Sequence, residues 1–129
     1  MDARGVYNGN ATDTLTLKVK ACQVSGCGSG TVVTLGTTAA LTLSAVTNQA
    51  WRVDDQAIAY TIGSSGTVDA QGVAQVFSTS AVASSLSLAN TGTVTVNTTV
   101  DEYISLTATF STNSGSNAIT LRNLKVIQQ

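Results

Sequence analysis

Histidine is absent from this chain, so the commonest general base and any serine–histidine–aspartate relay are excluded from the start. The residues left for chemistry are few. Two acidic doublets, Asp54-Asp55 and Asp101-Glu102, are the only adjacent carboxylates. A carboxyl pair can cleave a glycosidic bond when held about 5 Å or about 6.5–9.5 Å apart across a cleft, and carboxylate oxygens suit calcium. Neither doublet has the spacing of a helix–loop–helix calcium site. Both are expected at strand ends or turns, where Asp bonds to nearby backbone. Cys22 and Cys27 are too few for a disulfide scaffold, and no His completes a zinc site. A free pair and a small disulfide clip both stay open. As a nucleophile, either thiol lacks an activating base in sequence. Gly63-Ser64-Ser65-Gly66 has neither the Lys nor the following helix of a phosphate loop. Trp51 and Tyr60 could stack on a sugar through their apolar faces, although a lone Trp in a strand more often belongs to the core. The expectation is therefore a chain that is not an enzyme, with no catalytic residue, cofactor or metal.

The elements that would position these groups are strands. Period-2 patterns follow one another from Asp13 onward, separated by turn residues. Leu15, Leu17 and Val19 share one face while Thr16, Lys18 and Lys20 take the other. A Gly/Ser loop over 25–30 precedes a Val-rich strand at 31–35, a turn at Gly36, and Leu41 in phase with Leu43. Trp51 and Val53 lead into Ile58, Tyr60 and Ile62; Gly63–Gly66 is a tight hairpin connection, and Val68 and Ala70 return antiparallel. Val73, Val76 and Phe77 continue the sheet. Leu86 and Leu88 precede a turn at Asn90-Thr91-Gly92, with Val94 and Val96 after it. Ile104, Leu106, Ala108 and Phe110 pair with Ile119 and Leu121 across a turn at 111–117. The apolar phase then slips to Leu124 and Val126, which predicts a β-bulge near Arg122-Asn123. Nothing keeps a helical period over three turns. The closest stretch, 81–88, is short and Ser-rich.

Eight or nine short strands in a chain of 129 residues predict one all-β domain, an antiparallel sandwich or barrel. Residues 1–12 show no periodicity and read as an N-terminal arm before a domain over 13–129. Arg4, Val6 and Tyr7 are its candidate partner contacts.

The surface chemistry is unusual. Charged residues make up 10% of the chain, against about 25% in an ordinary soluble domain. The net charge of −1 gives no electrostatic reason to bind nucleic acid or an acidic membrane. Proline, a common blunting device at sheet edges, is absent, and the Lys in strand-like positions are Lys18, Lys20 and Lys125. Such edges are expected to be covered by a partner chain. Met1-Asp2-Ala3-Arg4-Gly5 lacks the apolar stretch of a secretory leader, and no run is long enough to span a bilayer. Synthesis and assembly in a cytoplasm are the expectation.

Several segments carry a resemblance. Trp51-Arg-Val53, Thr61-Ile-Gly-Ser-Ser-Gly-Thr-Val68-Asp-Ala-Gln-Gly72, Thr93-Val-Thr-Val-Asn-Thr-Thr-Val100, Ile104-Ser-Leu-Thr-Ala-Thr-Phe-Ser111 and Ser116-Asn-Ala-Ile-Thr-Leu-Arg-Asn-Leu-Lys-Val126 together resemble the small jelly-roll modules in structural proteins of tailed bacteriophages. The resemblance covers residues 13–127. It implies a jelly-roll-like sandwich of about eight strands and a virion component. Some of these modules are cement or decoration proteins that sit as trimers on the capsid surface, against the major capsid protein. Others belong to tail fibres or tail tips that meet the host, where Trp51 and Tyr60 would face a glycan. Those modules carry an extra strand before the position of Asp13; the arm at 1–12 stands in its place, leaving an edge for a neighbouring subunit to fill.

Overall fold

The computed structural model describes residues 1–78, 83–90 and 92–127. Of the stretch 81–88 that comes closest to a helical pattern, residues 81 and 82 lie outside them and 83–88 are strand; Thr91 of the turn expected at 90–92 also lies outside. The strands are β1 (Asp2–Gly9), β2 (Thr14–Cys22), β3 (Val32–Thr37), β4 (Leu41–Thr42), β5 (Val46–Thr61), β6 (Gly66–Phe77), β7 (Ala83–Ala89), β8 (Val94–Val96), β9 (Tyr103–Phe110) and β10 (Ala118–Lys125). All pairings are antiparallel. Among the described residues the helical content is one 3₁₀ turn, Ser25–Cys27.

The strands form a single open sheet folded over as in a β-sandwich. One layer runs β10-β1-β5-β6, with β7 and β8 sharing the far side of β6. The other has β2 in the middle, with β9 along one side and β3 and β4 on the other. A single residue pair, Thr37 with Ala89, joins the layers where β3 meets β7. Alternation delivers the core. Leu15, Leu17 and Val19 from β2 enter one buried cluster with Trp51 and Val53 from β5, Ala74 and Val76 from β6, and Leu88 from β7. The polar partners Thr16, Lys18 and Lys20 stay part-exposed on the opposite face, as period-2 geometry requires.

Residues 1–12 are not an arm. Asp2–Gly9 pair with β5 on one side and β10 on the other, so β1 is an interior strand of its layer. Its inward positions are Ala3, Gly5 and Tyr7, and its outward ones Asp2, Arg4, Val6 and Asn8. Two small residues on the buried face leave almost no hydrophobic periodicity to read. Strands β9 and β10 are likewise not a hairpin: β9 pairs along all of β2 and β10 along β1. The 111–117 connection crosses from one layer to the other. It is held by Asn117, whose Nδ2 donates to the buried Asp13 carboxylate at 2.7 Å and whose Oδ1 accepts from the Asn10 N–H at 2.9 Å.

Four irregularities shape the strands, one of them between β1 and β5, where Tyr7 faces Gln49 and Gly9 faces Val46. The bulge expected near Arg122-Asn123 is present: Arg4 faces Asn123 and Gly5 faces Leu121, with Arg122 the extra residue. Gly36 is not a turn but sits within β3 beside a second bulge, opposite Val19. The last is at Tyr60, since Ala59 faces Val68 while Thr61 faces Thr67. The β5–β6 hairpin closes at Gly63, whose φ of 144° suits glycine. Its tip is stapled from outside by Thr98, whose hydroxyl accepts from the Gly63 N–H at 2.9 Å and whose N–H donates to the Gly63 carbonyl at 3.1 Å.

Candidate functional site

The residues that sequence reasoning singled out fall in three separate places. Tyr7 is 2% exposed, and its hydroxyl donates to the Phe77 carbonyl at 2.8 Å. Burial pushes its phenol above the usual range. Tyr7 belongs to the core. Val6 is half-buried on the outward face. Arg4 is exposed there and is paired with Asp2, which holds the Asp2 carboxyl below the usual carboxylate range. As a contact set reaching out from an arm, these three residues do not exist.

Trp51 and Tyr60 are also kept apart. Trp51 is 3% exposed and its indole N–H is shared between the carbonyls of Val6, at 3.2 Å, and Thr120, at 3.3 Å. It is a core residue, and no ligand ring could reach its face. Tyr60 is 63% exposed. The two cannot form one stacking platform.

The Asp54-Asp55 doublet does not present its two carboxylates to one face. Asp54-Asp55 lies inside β5 rather than at a turn, so its side chains project to opposite faces. Asp54 is exposed, 3.9 Å from Arg52. Asp55 is buried against Gly72 of β6, and its Oδ1 has no hydrogen-bond partner. Burial raises its carboxyl above the ordinary value, the N-terminal ammonium pulling part of the way back. Among the described residues no group of three or more Cys, Asp or Glu is placed to hold a metal ion. Cys22 and Cys27 form a disulfide that closes the 3₁₀ turn after β2, with Cα atoms 5.4 Å apart.

The largest feature built from several elements is the open side of the sheet. Among the described residues β9 pairs with β2 alone and β10 with β1 alone, so each presents a free row of backbone donors and acceptors. Apolar side chains alternate with polar ones along these edges, and β10 also carries Arg122, Asn123 and Lys125. Leu121 is 50% exposed and Leu124 46%, and Val126 and Ile127 follow, also exposed. On β9, Ile104, Leu106, Ala108 and Phe110 are only part-buried against the core. Period-2 patterns located these strands in the sequence. Their status as edges follows from pairings across the whole chain and has no local signal.

A smaller feature lies on the outward face of β6. Tyr60, Asp69, Gln71, Asn90, Gly92 and Thr93 line a shallow recess of about 320 Å³ between the β5–β6 hairpin and the loop from β7 to β8. No protein-family model, curated protein or solved structure matches this chain.

Proposed function

We propose that this chain is a structural subunit of a bacteriophage virion. It would work in many copies on the capsid surface as a cement or decoration protein, assembled as a homotrimer against the major capsid protein. The observation that carries this reading is the pair of open edges β9 and β10, the second with Leu121 and Leu124 half-exposed. Long unpaired edges are a liability in a free protein; β9 carries no charged residue or proline, while β10 is blunted in part by Arg122, Lys125 and its bulge. Laying β10 of one copy beside β9 of the next continues the sheet. Because those edges differ, the contact is head-to-tail and closes as a ring when the rotation allows. Main-chain bonds would give affinity and Leu121 and Leu124 would give buried area. Repetition over a lattice multiplies a modest single contact. A charge-poor surface suits permanent packing, and the Cys22–Cys27 disulfide suits the oxidising exterior of a particle.

A second reading, a tail-fibre or tail-tip module that meets the host, is favoured by one observation, the exposed Tyr60 ring beside polar groups. Copy number separates the two. A cement protein is expected in purified particles near the stoichiometry of the capsid protein and on heads lacking tails; a tail module is expected in a handful of copies and never on isolated heads. For the edge itself, sedimentation of the purified chain should show an oligomer that Leu121→Lys with Leu124→Lys converts to a folded monomer. A wild-type chain that stays monomeric at high concentration and ignores heads and tails alike overturns the proposal.

A further inference from the structure

We infer that the recess around Tyr60 is a binding site for a neutral saccharide, a site that stands independently of how the subunits assemble. Three observations carry it. First, Tyr60 is the extra residue of a β-bulge, a device often found where a side chain is aimed at a site. Its ring is 63% exposed, which leaves an aromatic face of the kind that receives the C–H groups of a pyranose. Second, the groups beside it are those a sugar needs. The Gln71 amide donates to the Asp69 carboxylate at 3.2 Å, so an acceptor and an amide stand side by side to bridge vicinal hydroxyls. The recess is completed by Asn90, Gly92 and Thr93. Third, the platform is held before any ligand arrives. Thr98 fixes the hairpin tip through Gly63, the Thr61 and Thr67 hydroxyls bond across it at 2.9 Å, and the Asn90 amide donates to the Thr34 carbonyl at 2.6 Å. Ordered groups lose little entropy on binding.

The lining also selects against other ligands. It contains no Lys or Arg, so phosphate and sulfate esters meet no cation and face the Asp69 carboxylate. It has one aromatic ring, where a quaternary ammonium is best held by several. It is open and shallow, which fits a chain of sugars lying across it rather than a small molecule enclosed by it. A single such site binds weakly, and many copies on one particle make it useful.

The test is a titration of the isotopically labelled chain with maltohexaose, cellohexaose and chitohexaose, followed by amide NMR. Millimolar binding is expected for at least one of them, with shifts concentrated at 58–71 and 90–93. Tyr60→Ala should reduce affinity at least tenfold, Asp69→Asn severalfold, and Tyr60→Phe should retain most of it. These positions are exposed or half-exposed, and an unchanged spectrum elsewhere certifies the fold. No response to any of the three sugars overturns the inference. So do shifts mapping to another face, binding that survives Tyr60→Ala, and a response to choline alone, which would make the site a cation site. A failed titration alongside an intact oligomer would sink this site and leave the edge proposal standing.

Discussion

The indole N–H of Trp51 reaches the carbonyl of Thr120, 3.3 Å away and two strands distant in the layer. It can do so because Gly5 lies between them. A Cβ on Gly5 would run into the Thr120 carbonyl and stand 2.9 Å from the indole nitrogen. One ring thus ties β5, β1 and β10 together, and the bulge at Arg122 falls where β10 passes this point. Trp51→Phe is expected to keep the ring's packing while leaving two carbonyls without their shared donor, at a cost of about 1–3 kcal/mol. Gly5→Ala puts a methyl against main-chain atoms that cannot move aside and should cost more than about 3 kcal/mol. Urea denaturation of the two variants measures both, and a Gly5→Ala chain as stable as wild type would refute the account of this junction.

Removing the first nine residues should unfold the protein. β1 supplies the interior strand between β5 and β10 and buries Ala3 and Tyr7. Without it, the backbone of two strands is left unpaired beside an exposed core. The truncated chain is expected to lose dispersed amide signals and cooperative melting. A folded truncation would show that the strand is dispensable.

Asp55 gives the protein a stability cost at neutral pH. Its carboxyl is raised above 3.8 in the folded state by burial, so between that value and the raised one the folded chain holds more protons than the unfolded one. The contribution is fully present below pH 3.8 and is lost as pH rises through the folded value. Asp55→Asn should therefore be more stable than wild type at pH 8 and indistinguishable from it at pH 3. Asp2 and Asp13, whose carboxyls are lowered by hydrogen bonds from Arg4 and Asn117 respectively, act in the opposite sense, and both proteins share them. Melting curves at the two pH values isolate Asp55. A variant destabilised at pH 8 would contradict the sign.

The disulfide closes a short loop, its partners five positions apart in sequence. Loop entropy assigns such a link about 2 kcal/mol. Cys22→Ala with Cys27→Ala should lower stability by about that amount, with a further loss because Cys22 is buried, and the strands should remain. Denaturant midpoints with and without a reductant separate the two parts for the wild type. No change on reduction would mean the link leaves the unfolded chain unconstrained.

Strand faces were legible in the sequence wherever large apolar residues alternate with polar ones, as at Leu15-Thr16-Leu17-Lys18-Val19. The slip from Leu121 to Leu124 revealed a bulge because it changed the phase of such residues. Where the buried face is built from small residues the signal vanished, and β1, with Ala3 and Gly5 facing inward, was read as an arm. Tyr7 in phase with them was the one available cue. Pairing was harder still. Ile104–Phe110 and Ile119–Leu121 look like a hairpin because they are neighbours in sequence, yet their partners are β2 and β1. At the surface, Ile58, Tyr60 and Ile62 alternate as a core strand would and are all exposed. Alternation marks two different faces without saying which one is covered. Trp51 was read correctly as core from its residue type, while the neighbours that give Tyr60 its setting come from β6 and the loop after β7.

Because Asp2 stands opposite Lys125, β1 can complete its hydrogen bonding only after the chain through Lys125 has left the ribosome. Closing that long loop comes late and slowly, and until then one flank of β1 is a bare ribbon in a crowded cell. The same pairing brings the two ends of the sheet together. A short linker could join them, and the exposed Ser64-Ser65 tip offers a place to reopen the chain, giving a rearranged polypeptide with the same layers in a different order of synthesis.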